Sequence, residues 1–149
     1  MILQKELEEI EGLIEKGDVV SEKISKSGTY WHTDHLLKVI IYTVIALKKS
    51  NPEEYKFTFS PARLGCFLFN FFPRGVGRAP RRVTAEEEIT QETLRDQYEQ
   101  VEELLSEWDG LHKNCHFKHP YFKTVNVKMS KKFLHIHTNH HLKIIREIL

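Results

Sequence analysis

Four stretches of the chain repeat apolar residues at three- and four-residue steps, the period of a helix packed on one side. In the first, Ile2, Leu3, Leu7, Ile10, Leu13 and Ile14 recur in this way, and Gly17 stops the pattern. The second runs from about Tyr30 to Lys49. It carries Leu36, Leu37, Val39, Ile40, Ile41, Val44, Ile45, Ala46 and Leu47. A helix apolar on most sides is largely buried. The third opens at Thr90, a good N-cap, and places Leu94, Tyr98, Val101, Leu104, Leu105 and Trp108 on one stripe before Gly110. The fourth opens at Asn126 or Ser130 and continues to the C-terminus without Pro or Gly.

Between the second and third stretches, Ser60-Pro61 is a start signal. It predicts a short helix through Leu64, Phe67, Leu68 and Phe71, ending at Pro73. Its phenylalanines are read as core, with an exposed dimer surface as the alternative. Residues 18–29 and 111–125 read as connectors, the latter rich in His. No segment alternates as a strand would. The pattern predicts an all-α fold: four long helices and one short extra helix in a single domain over residues 1–149.

Composition narrows the function. At 149 residues and a formal net charge of +1, nothing in the overall charge argues for nucleic acid or an anionic membrane as partner. The longest apolar run, Leu64 to Phe72, is too short to span a bilayer. Met1 to Glu9 is amphipathic and acidic, unlike a signal peptide. Cys66 and Cys115 form no metal or disulfide motif. The expected compartment is the cytoplasm. The loop Arg74-Gly75-Val76-Gly77-Arg78-Ala79-Pro80-Arg81-Arg82 could hold an anion, but a solvated basic connector is the better reading.

Histidine is the compositional skew: six of the nine, His116, His119, His135, His137, His140 and His141, crowd the C-terminal part. Phe133, His137, His141 and Ile145 are each four apart. Such residues stack along a helix at roughly 6 Å. Two imidazoles one turn apart on an inward stripe can grip one metal ion, although such pairs are often merely half-buried. Nitrogen ligands suit a divalent ion such as Zn, Ni or Fe(II), and affinity order does not choose among them.

His137-Thr138-Asn139-His140-His141 resembles the close of the last helix in DinB-like metal-binding bundles. Trp31-His32-Thr33-Asp34-His35-Leu36 resembles the start of their second helix. His119-Pro120-Tyr121-Phe122 resembles a turn in an uncharacterised branch of that superfamily. The likeness covers about residues 25 to 149. It implies an up-down-down-up four-helix bundle and a divalent metal held by His35, His137 and His141. It also implies a small-molecule or thiol ligand, and a homodimer. Three positions depart from the pattern: Ile144 stands for a frequent Gln, Lys123 for Gly, and the Trp31-to-His35 spacing is short.

Three neutral imidazoles leave a divalent ion with full charge and an open position. The resemblance therefore implies a metal-dependent thiol transferase or a hydrolase. The alternative is a non-enzymatic, metal-stabilised binding or regulatory module, because no general acid or base stands at a fixed spacing. Tyr42 reads as a core residue first and a proton donor second. His140 is expected at the flank, and His119 over the entrance. Asp34 and Asn139, near the three histidines in sequence, are expected to face other sides of their helices.

Overall fold

The computed structural model describes residues 1–75 and 88–149. Five helices are seen: α1 (Gln4–Glu15), α2 (Thr29–Lys49), α3 (Pro61–Phe69), α4 (Gln91–Ser106) and α5 (Val127–Ile148). The helical class expected from the periodicity is present. α2 packs along both α4 and α5, and α1 touches all three. This central position explains why α2 is apolar on most sides: Leu36, Leu37, Ile40, Val44 and Leu47 are fully buried. Each such side chain contributes roughly 1.5–3 kcal/mol on burial.

The helix starts follow local chemistry. Thr90 caps α4 by accepting from the Thr93 amide at 3.2 Å, with the Thr93 hydroxyl accepting from the Thr90 amide at 3.1 Å. Asn126, one of the two expected starts, caps α5 through the Met129 amide at 3.0 Å. α4 ends at Ser106, and Trp108–Gly110 form a separate 3-10 turn. α2 has Gly28 at its N-cap, which offers no side chain. Asp18 supplies the missing acceptor from outside the helix, taking the Tyr30 amide at 2.9 Å and the Thr29 hydroxyl at 3.2 Å. A Cβ on Gly28 would lie 2.5 Å from Asp18 Oδ1, so only glycine lets that carboxylate reach the helix end.

The expectation of no strand is corrected. β1 (His116–His119) and β2 (Lys123–Asn126) pair antiparallel, with His116 opposite Asn126 and His119 opposite Lys123. Neither four-residue segment alternates apolar and polar positions, so periodicity could not reveal them. The hairpin is held from outside. Arg63, buried in α3, donates to the carbonyls of Phe122 at 2.8 Å, Thr124 at 2.9 Å and Thr58 at 2.6 Å. Lys123 closes the turn with φ 57°, in the left-handed region where glycine carries no Cβ penalty.

α3 also corrects the reading of its phenylalanines as core. Leu64, Leu68, Phe69 and Phe71 are exposed, and only Phe67 and Phe72 pack against the core. The helix turns Arg63 inward, because its guanidinium finds three carbonyls there. That choice points the apolar row outward. Arg74 ion-pairs with Glu147 through two bonds of 2.9 Å. Positions 76–82 of the basic loop lie outside the described residues.

Replacing Arg63 by Met is expected to lower unfolding free energy by ~2–3 kcal/mol, since three carbonyls lose a charged donor. Urea denaturation followed by circular dichroism checks this. Gly28→Ala is expected to cost about 1 kcal/mol in the same assay, through loss of the Asp18 cap. An unchanged midpoint would show that the contact carries no stability.

Candidate metal centre

His35 lies in the second turn of α2, on the side facing α5. Its ring is stacked on Trp31, one turn earlier, at 5.2 Å between centroids and 8° between planes. That stacking holds the imidazole flat against a rigid aromatic surface. On α5, the fully buried positions are Ser130, Leu134, Thr138, Leu142 and Ile145. The row Phe133, His137, His141 lies beside them. The imidazoles thus occupy the flank of the buried stripe, where α5 meets a cavity, and not its centre.

The three rings come together. Centroids are 4.7 Å apart for His35 and His141, 4.7 Å for His137 and His141, and 5.1 Å for His35 and His137. One nitrogen from each lies within 4.8 Å of the other two. Nitrogens sharing one tetrahedral ion sit about 3.4 Å apart at bond lengths of ~2.0–2.1 Å, so the three would draw closer around an ion. His137 Nδ1 is buried with no hydrogen-bond partner, alone in this among the described imidazole nitrogens. A buried nitrogen without a partner is costly unless something else takes its lone pair. The residues present therefore fit a divalent cation.

The structure adds a fourth histidine that the spacing argument passed over. His32 Nδ1 lies 2.9 Å from His141 Nδ1, and His32 Nε2 lies 3.0 Å from Ser25 Oγ. Two proton arrangements satisfy both contacts. In one, His32 Nε2–H donates to Ser25 and His141 Nδ1–H donates to His32. This one leaves the His141 Nε2 lone pair for a ligand bond, and such outer partners commonly fix a ligand's tautomer. The available signal was His32 three residues before His35, on the same side of α2. Asp34 and Asn139 are engaged elsewhere, as expected. Asp34 accepts from Gln97 at 2.8 Å and pairs with Lys38, and Asn139 donates to Glu6 at 2.8 Å.

Burial keeps these rings neutral. It pushes His137 and His141 well below the usual imidazole range, with neighbouring histidines adding to the effect. Burial also pushes His32 down to about 4, with His35 next in effect, and His119 down to about 4. A neutral imidazole is the ligating form, so the site is ready for a cation at neutral pH.

The cluster forms one wall of a cavity of about 560 Å³. His119 stacks on Phe122 at 4.5 Å and meets Phe133 edge-on at 5.0 Å, closing the side formed by the hairpin. His119 thus lines the cavity wall. His140 stands at the flank, 6.2 Å from Phe72. Tyr42 lines the cavity and is 39% exposed, which corrects its reading as a core residue. His112, His116 and His135 do not line it. No family model, curated protein or solved structure matches this chain.

The lowered values have a sign. The unfolded chain binds protons to His32 and His119 near pH 6.5, and the folded chain only near 4. Their contribution to stability is therefore complete above about pH 6.5 and is lost as pH falls toward 4. The urea midpoint of metal-free protein is expected to fall across that window. His119→Asn, whose Oδ1 can replace Nδ1 as acceptor for the Tyr121 and Phe122 amides, is expected to fall less steeply. Parallel slopes would remove His119 from the account.

Proposed function

We propose that His35, His137 and His141 hold a divalent metal ion at the wall of a ligand cavity, and that the protein is a metal-dependent enzyme of the DinB-like kind. A thiol transferase or a hydrolase is the class of reaction. The observation that carries this is the convergence of three imidazoles from two helices, with His137 Nδ1 buried and unpartnered. The proposal includes an up-down-down-up order for the four long helices, a cytoplasmic location, and a homodimer through the exposed face of α3. No described helix is long and apolar enough to cross a membrane.

When bound, the ion would act as a Lewis acid toward a ligand oxygen or sulfur. The chain's own groups do the rest. Trp31 and His32 hold two of the imidazoles in position. His119, Phe122 and Phe133 keep water from one side of the cavity. Tyr42 lines it and can present a phenol proton to a bound molecule.

A second reading has its own support. Among the described residues, no Asp or Glu lines the cavity, so no carboxylate base is present. A metal-stabilised binding or regulatory module needs none. Stability separates the two: in a module the ion mainly supports the fold, and in an enzyme it mainly serves the cavity.

Protein made without an affinity tag is expected to carry close to one equivalent of Zn, Ni or Fe by elemental analysis. His137→Ala is expected to lose it while keeping its helical spectrum. His32→Phe is expected to weaken the metal by about ten- to a hundredfold, the range for a lost outer-sphere partner. Absence of stoichiometric metal in the unaltered chain would end the proposal. A collapse of helicity on chelation would favour the module.

A further inference from the structure

The cavity has a one-sided character that the metal reading does not itself require. Its described lining is largely apolar, with Trp31, Val39, Phe72, Phe117, Phe133 and Ile144 among the walls. Its polar groups are almost all donors or neutral. Lys118 and Arg74 stand in the lining, Arg74 tied to Glu147, and the other described polar groups there are hydroxyls, a thiol and imidazoles. No carboxylate lines it among the described residues. A divalent cation held by three imidazole nitrogens, ligands that bring no negative charge, would keep its whole charge inside a largely apolar enclosure. Uncompensated charge in such surroundings is costly. Among the described residues that line the cavity no group supplies a counter-charge, and Lys118 adds a positive one, so an anionic ligand is the natural complement.

The volume says more. A hydroxide or a chloride would balance charge but would leave most of about 560 Å³ unused. Cavities of this size suit a molecule of roughly ten to twenty non-hydrogen atoms. Aromatic rings on several sides favour a flat or branched apolar body, through edge and face contacts. Lys118 adds a second positive charge among the described groups that line the space.

We infer that the cavity takes a small organic anion with an apolar, aryl-sized body and a single carboxylate, its head toward the three histidines and its body against Trp31, Phe72 and Phe133. This rests on the metal reading and goes beyond it, because it names the ligand class. Ile144 acquires a role here. As an apolar group in the wall next to the histidine row, it favours the ligand's body where a polar side chain would not.

The test uses the full chain loaded with Zn(II), its metal content measured first. The probes are 3-phenylpropionate, acetate and 3-phenyl-1-propanol, titrated by calorimetry and by the emission of Trp31 in a Trp108→Phe background. Phenylpropionate is expected to bind at least tenfold more tightly than either acetate or the alcohol. Phe72→Ala, which removes part of the apolar wall without removing an imidazole, is expected to weaken that binding at least fivefold and leave the zinc content unchanged. Should the tryptophan replacement fail to fold, calorimetry on the unaltered chain gives the same comparison. With zinc bound, equal affinity for phenylpropionate and acetate overturns the apolar body. Equal affinity for the acid and the alcohol overturns the anionic head. Failure to bind zinc at all removes the metal reading, and this inference falls with it.

Discussion

The contact between α2 and α5 is the constraint on which the site depends. α2 lies in the middle of the structure, against α1, α4 and α5. Its apolar side chains press on the same helices that must bring histidines together. Leu36, Leu37 and Ile40 on α2, and Leu134, Leu142 and Ile145 on α5, are all essentially solvent-free. Close-packed interiors resist sliding, because any shift opens voids or forces clashes. The register of the two helices is therefore held by dispersion and burial, and His35 is carried to His137 and His141 as a consequence.

The first turns of α2 go against that apolar logic. His32, Thr33, Asp34 and His35 are four consecutive polar residues, all buried. Each finds its own solution. Thr33 returns its hydroxyl to the Thr29 carbonyl at 2.9 Å, and Asp34 turns to Gln97 and Lys38. His32 bridges Ser25 and His141, and His35 stacks on Trp31. Toward α4, Asp34 is engaged by Gln97 and Lys38, with Gln97 Oε1 left buried without a hydrogen-bond partner. Groups pointing toward α5 form a cluster of imidazoles in which His137 Nδ1 is buried without a hydrogen-bond partner. Polar density at the end of an otherwise apolar helix is a frequent mark of a working site, because it lowers stability without helping the core.

The hairpin and α3 serve the same cavity from the other side. Arg63 fixes the hairpin by binding the carbonyls of Phe122 and Thr124 where the turn enters β2, and the hairpin carries His119, Phe122 and Phe117 to the cavity wall. A buried guanidinium without a carboxylate is an expensive fastener, and its use here joins three chain segments at one point. The cost on the outside is a row of exposed apolar residues on α3, which a neighbour or partner could cover.

The sequence alone determined the helices and part of the site. Period, caps and breakers located four long helices and one short one, since each of those signals is local. The four-residue spacing put His137 and His141 on one face for the same reason. His35 came from resemblance, because no local rule links positions a hundred residues apart. Tertiary structure decided what was non-local. The strands exist because Arg63 and the segment before α3 hold them, so their own residues show no alternation. Lys123 sits in a backbone conformation that its identity does not announce. His32 lies by spacing on the same side of α2 as His35, but its contact with His141 came from the crossing of two helices. The exposure of Leu68 and Phe69 followed from the inward turn of a single arginine. Local chemistry is written along the chain. Which faces meet is fixed by packing, and the chemistry of this site lies in that meeting.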